Sequence, residues 1–354
     1  MQKKIIALAI AAAFSAPAFA DNANVTVYGK ALMTMDQFSS DATGATKQVR
    51  VNTNASRLGV KGSDDLGDGL KALFQYELEM DADGSGNSVA STSTAVPAGG
   101  GTPTITSTPT ASGLGKSRNS GAGLEGGFGK VMLGIWDTPF KTAHNAIELF
   151  DNTTSWTSTL VIGRSAGKDY NTRQKNMLQY WSPKFAGFQV AAMYSPDEAR
   201  SATANKAITS FSGTYDQDAL YVSAAYETRN DATTATTADT ATRLVAKYKL
   251  ADFWLGGMVE SMKTNLSLTS AVTGQNSELV GGYKFGASSI ALSFAKQGDT
   301  STTAAANGVT QTSLKYAYDF SKRTEMFAAY TSNKADGATV VTKSYLGGGI
   351  IHSF

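Results

Sequence analysis

The chain is 354 residues long, carries no cysteine, and sets 31 basic residues against 29 acidic ones. Without cysteine it has neither a disulfide framework nor a thiolate metal site, and a net charge of only +2 gives little electrostatic pull on nucleic acid. No run after residue 20 approaches the ~18 apolar residues of a membrane helix, so the chain either is soluble or enters a membrane as a barrel.

Residues 1–20 have the three parts of an export signal: Lys3 and Lys4, the apolar core "IIALAIAAAF", and small residues at Ala18 and Ala20. Cleavage after Ala20 is expected. Losing Lys3 and Lys4 leaves a mature chain, 21–354, with basic and acidic residues in balance.

In "VTVYGK", Lys30 alternates with Val27, Gly29 and Ala31, which predicts an inward side chain. Arg57, in "SRLG", is about as far from the turn "DLGDG" at 65–69 as Gln75 is on the next strand. Parity therefore sets Arg57 beside Gln75 and Glu77, facing water. The stretch "LKALFQYELEMD", 70–81, alternates apolar Leu70, Ala72, Phe74, Tyr76, Leu78 and Met80 with polar residues, Leu73 being the exception. Period two over this length predicts a strand oily on one face and wet on the other, and it suits the ~9–11 residues of a tilted membrane strand.

Residues 82–116 are low in complexity and nearly uncharged, which predicts a mobile surface loop. The pattern GxGxxG follows at Gly121, Gly123 and Gly126. A dinucleotide site needs a helix to open at its last glycine, and here Val131, Leu133 and Ile135 alternate toward Trp136, which is a strand. "EGGFG" at 125–129 is then a turn. Residues 137–172 form a second long loop, but one with apolar anchors at Phe140, Ile147, Leu149, Phe150 and Trp156, the mark of a functional loop. Beyond it, Arg173 and Lys175 share an inward face with Gln179, while Leu178 and Tyr180 point outward.

The same alternation recurs to the C-terminus, for example at Leu244, Ala246, Tyr248 and Leu250. Tyr215, Leu250, Phe285 and Phe320 mark tight turns 35 residues apart, each interval holding two strands, one short turn and one long loop. Seven tight turns with both chain ends on one side give eight long-loop hairpins, hence an all-β, 16-stranded antiparallel transmembrane barrel.

Catalysis finds no support. His144 and His352 are the only histidines; His144 with Glu148 at i+4 reads as a helical turn, and His352 has outward parity in the final strand. No cofactor or metal is expected. Two non-enzymatic alternatives remain: a substrate-specific channel with a saturable site, its aromatic rail drawn from Trp136 and Trp156, and a soluble secreted β protein.

The segments "VTVYGK", "SRLGVKGSDDLGDGLKALFQYE", "GGFGKVMLG", "QYWSPKFAGFQVAAMY", "YAYDFSKRTEMFAAY" and the ending "GGGIIHSF" resemble the general porins of Gram-negative outer membranes, of the β-proteobacterial type. The resemblance implies a homotrimer with short periplasmic turns, long extracellular loops and a third loop, here 137–172, folded inward to narrow a water-filled pore for small hydrophilic solutes. It implies contact with outer-membrane lipid, lipopolysaccharide and the barrel-insertion machinery, the last through the terminal Phe354. It places wall cations at Arg57 and Arg118, joined here by Lys30, Arg173 and Lys175, against Glu77 on the wall and Asp137, Glu148 and Asp151 on the loop. In "LGIWDTPF", Ile135 and Trp136 stand where the pattern commonly has arginine and glutamine. With that cation replaced and the mature chain neutral, weak selectivity with a slight anion preference is expected.

Overall fold

The computed structural model describes residues 24–83, 90–92, 106–108, 116–151, 154–230, 237–300, 307–337 and 339–354. The expected export signal and most of the expected surface loop at 82–116 lie outside the described residues.

Seventeen strand segments form one antiparallel sheet. Two of them are halves of a single barrel strand, so the barrel has sixteen. In chain order these are β1 (Asn24–Ser40), β2 (Gln48–Thr53 and Arg57–Gly67), β3 (Leu70–Glu79), β4 (Ser120–Gly126), β5 (Gly129–Asp137), β6 (Arg173–Trp181), β7 (Phe188–Ser195) and β8 (Ile208–Gln217). They continue as β9 (Leu220–Asn230), β10 (Ala238–Leu250), β11 (Phe253–Asn265), β12 (Ala271–Phe285), β13 (Ser288–Gln297), β14 (Val309–Ser321), β15 (Thr324–Ala335) and β16 (Val341–Ser353). The sheet closes where β1 pairs with β16, from Lys30 opposite Ser353 to Ser40 opposite Lys343. Closure leaves no unpaired edge, the condition for backbone to cross a bilayer as strands.

Alternation decides which side each residue faces. Tyr76, Leu244, Val259, Leu279 and Phe294 are exposed on the outside. Their neighbours in sequence, Glu77, Val245, Met258, Glu278 and Ala295, are buried inside. The tight turns form where left-handed backbone is available, at Asp68 and Gly69, Gly129, Gly187, Asp218, Ala251 and Gly286. Aromatic pairs girdle that end of the barrel, among them Phe188 with Tyr215 at 4.7 Å and Phe253 with Tyr283 at 4.3 Å between ring centroids. Gly123 belongs to β4, where a Cβ would strike the Val131 carbonyl, so the glycine pattern serves close strand approach.

Three irregularities shift what simple alternation predicts. β2 breaks at Ala55, which takes φ 50°, and the break is sealed by Ser56, whose Oγ accepts from Leu32 N at 2.9 Å and donates to Leu32 O at 3.1 Å. The strands meet at the turn Asp68–Gly69 and slip one residue at a bulge between Asp65 and Gly67, so Arg57 lies opposite Glu79, Gln75 opposite Lys61, and Glu77 is Arg57's diagonal neighbour. A second bulge, between Gln174 and Met177, breaks the parity that ran from Gln179 back to Lys175.

Candidate functional site

The loop between β5 and β6 begins with α1 (Pro139–Thr142), a single turn capped by Thr138, whose Oγ1 accepts from Lys141 N at 3.1 Å. It then runs across the lumen and docks on β8–β16 and on Leu32 of the adjoining β1 through three apolar clusters. Phe140, Ala143 and Tyr170 pack on Ala225, Ala241 and Met262. Ile147, Val161 and Ile162 pack on Val245, Met258, Val280 and Ala295. Phe150 and Trp156 pack on Leu32, Ala317, Phe327 and Ala329. Gly256 leaves room for this approach, since a Cβ there would lie 2.6 Å from the Ile147 side chain.

Backbone carbonyls of the loop are claimed by the wall. Arg243 Nη1 donates to Phe140 O at 3.0 Å, Lys247 to Ala146 O at 2.6 Å, Lys315 to Leu149 O at 3.1 Å, and Gln311 to Trp156 O at 3.0 Å. Buried His144 puts Nε2 2.6 Å from Glu278 and Nδ1 3.8 Å from Glu148, so it joins loop to wall. Trp156 is fully buried and edge-on to Phe327. It therefore forms no rail with Trp136, whose neighbour is Trp181 at 5.8 Å.

Opposite this docking face, the loop and β1–β6 bound a cavity of about 490 Å³ crowded with charge. Lys30, Arg57, Arg118, Lys141 and Arg173 line it together with Glu79, Asp137, Glu148 and Asp151. Asp151 lies 2.5 Å from Lys30 and 3.9 Å from Arg57. Asp137 lies 2.6 Å from Lys141 and 3.2 Å from Arg173.

Two acids are engaged by hydrogen bonds. Glu77 is buried, 2.6 Å from Arg118 and 3.8 Å from Arg57, and accepts the Tyr28 hydroxyl at 3.1 Å. Glu148 accepts from Phe150 N at 3.0 Å and Thr157 Oγ1 at 2.8 Å. Burial, aided by the nearby Glu278 charge, pushes the Glu148 carboxyl up to about 7 against the pull of His144.

Of the expected residues, Lys30, Arg57, Glu77, Arg118, Asp137, Glu148, Asp151 and Arg173 thus come together. Lys175 does not: it sits in the bulge of β6, exposed and outside the cavity. Phe354 is remote as well, its backbone paired with Gly29 and its ring lying over that glycine. Lys141 joins the cavity residues without having been expected, and Glu79 lines the cavity beside Arg118. Lys141 had a signal in its i+4 spacing from Asp137 within "DTPFKT", and Glu79 in sharing the parity of Glu77.

A closed sixteen-stranded barrel, apolar outside and charged within, with a loop laid across its lumen, defines a passive outer-membrane channel. The chain belongs to the Gram-negative porin family, whose model matches residues 7–338. It is 28% identical to outer membrane porin protein 32 of Delftia acidovorans, over 96% of this chain and 92% of that one. It is 26% identical to the major outer membrane protein P.IB of Neisseria lactamica, over 98% of each. Among solved structures, the anion-selective porin from Comamonas acidovorans superposes with a TM-score of 0.74 at 23% identity, covering 94% of this chain and all of that one.

Proposed function

We propose that the chain is a homotrimeric diffusion channel of slight anion preference, narrowed by the loop 137–172 and performing no chemistry on its solutes. The observation that carries the preference is the imbalance at the narrow cavity. Lys30, Arg57, Arg118, Lys141 and Arg173 line it against Glu79, Asp137, Glu148 and Asp151, while Glu77, buried with Arg118, does not. Of these acids, Glu79, Asp137 and Asp151 each pair with one of those cations, so cation and anion line opposite sides of a short path and selectivity stays weak.

The trimer reading rests on an outward apolar strip at the barrel seam. Met33, Met35, Val49, Val51, Leu346 and Ile350 surround a recess of about 640 Å³ there, a surface that a neighbouring subunit would cover. The rest of the outer face would meet lipid and lipopolysaccharide, and the outward Phe354 at the seam would serve the insertion machinery. Conductance of the refolded protein in planar bilayers under a salt gradient tests the reading. Current steps in threes with a small zero-current potential on the anion side support it; strong cation selectivity, or no conductance, overturns it.

A further inference from the structure

Below the charged cavity the lumen wall changes character. Lys61, Leu73, Gln75, Lys130, Met132 and Trp136, all at inward parity, line a recess of about 390 Å³. Trp136 stands edge-on to Trp181, planes 72° apart, and the Lys130 ammonium lies 4.2 Å from the Trp181 ring and 5.8 Å from the Trp136 ring. Met132, Met177 and Met193 form a buried floor with Leu73 against it.

This cluster differs from the other apolar clusters of the lumen among the described residues. Those three each include residues of the docked loop, which covers them. The fourth includes none, and Trp136 and Trp181 remain half-exposed to the passage. Partly uncovered indole on the wall of a water-filled pore leaves apolar surface in water, which is unfavourable until a solute covers it. It favours a solute with a flat apolar body. The charges beside it select the sign: Lys61 is exposed with its ammonium 5.2 Å from the Tyr28 ring, and Lys130 is held between the two indoles. The one carboxylate lining the recess, Glu125, lies opposite Lys130 in the β4–β5 register and also opposite Lys71.

We propose that this recess is a lumenal subsite for aromatic carboxylates. The ring lies against Trp136 above the Leu73–Met132 floor, and the carboxylate sits between Lys61 and Lys130. Ring packing on an indole and attraction to two ammonium groups act together here, so neither half of the ligand suffices alone. The subsite rests on the channel reading but is tested apart from it, by binding.

Saturation-transfer NMR on the refolded channel, titrated with benzoate, is the measurement, with acetate and benzyl alcohol as the charge-only and ring-only probes. Benzoate is expected to saturate, with acetate and benzyl alcohol binding more weakly. Trp136→Leu and Lys130→Gln should each raise its Kd about three- to tenfold, the range an aromatic contact or one charge contact supplies. Bilayer conductance of each variant verifies assembly; if Trp136→Leu fails to assemble, Lys130→Gln decides alone. Transfer that does not saturate, a Kd unmoved by the variants, or benzyl alcohol binding as tightly as benzoate overturns the subsite. Conductance without benzoate binding would leave the channel reading standing.

Discussion

Replacing Arg57 and Arg118 together by serine isolates the wall half of the charged cavity. In the intact protein Arg118 lies 2.6 Å from Glu77 and 3.7 Å from Glu79, and Arg57 lies 3.8 Å from Glu77 and 3.9 Å from Asp151. The double change strips two positive charges from the passage and frees carboxylates that they now neutralise. An ion passing about 6 Å from one unit charge in water-like dielectric feels about 0.7 kcal/mol, so two charges amount to about 1.4 kcal/mol before screening. At 0.1 M salt, with a Debye length of about 10 Å, this falls to about 0.8 kcal/mol. Cations gain what anions lose, so the permeability ratio moves by about 1.5 kcal/mol, or about tenfold toward cations. At 1 M salt, where the Debye length is about 3 Å, the shift shrinks to about twofold. Zero-current potentials across a KCl gradient at both salt levels read the change directly. An unchanged potential at 0.1 M, from channels that still conduct, would show that these arginines do not act on the passing ion.

Three further outcomes follow from the docked loop and the barrel wall. Trp156→Ala empties a fully buried site against Phe150 and Phe327 and deletes the indole bond to Tyr345 O at 3.2 Å; loop docking should weaken by about 3–5 kcal/mol, read as larger and noisier conductance from a barrel of unchanged strand content. Glu148 is held protonated up to about 7 against an ordinary 4.5, so its contribution to loop docking is complete below about 4.5 and is lost as pH rises through 7. Conductance noise should therefore rise across that window, and Glu148→Gln, which keeps an acceptor for Phe150 N, should flatten the profile; a variant with the wild-type profile would exonerate Glu148. Phe74→Arg, on the lipid face, should cost about 2–4 kcal/mol in denaturant refolding, whereas Gln75→Arg, one residue on and inward, should stay within about 1 kcal/mol of wild type, and equal losses would contradict the inside–outside assignment.

The barrel was readable because lipid imposes one demand on every strand. Outward positions must be apolar without interruption, so Leu244, Ala246 and Tyr248, or Ile290, Leu292 and Phe294, declare a face, and the 35-residue recurrence of turns then counts the hairpins. Features that interrupt alternation were not readable. The hairpin turns at Asp68–Gly69 and slips one residue at the bulge between Asp65 and Gly67, which sets Arg57 opposite Glu79, and the bulge between Gln174 and Met177 takes Lys175 out of the cavity. Both depend on backbone geometry that residue type specifies weakly. Leu73 shows the reverse case: as an exception to the wet face it looked like noise, but it packs inside the barrel against the methionine cluster. Glu278 and Arg243 carried a signal as charges at inward parity. Their partners, His144 and the Phe140 carbonyl, lie more than a hundred residues away along the chain, and no local pattern connects them.

The docked loop also explains how a chain of balanced charge can favour one sign of ion. Because Ile147, Phe150, Trp156 and Phe140 seal against the inner face of β8–β16 and Leu32 of β1, that part of the lumen behaves as a packed core, and its buried pairs, such as Arg243 with Glu260 at 2.7 Å, lie outside the proposed path. In the proposed channel an ion meets the strip between the loop and β1–β6. Net charge over the whole chain is then irrelevant to selectivity, and the relevant balance is local: which charges the fold leaves facing water and which it withdraws. Glu77 is buried together with Arg118, Thr157 and Phe150 N hold Glu148 at the loop, and five cations line the strip against four acids. Selectivity in the proposed channel then turns on which of these charges the fold leaves facing water.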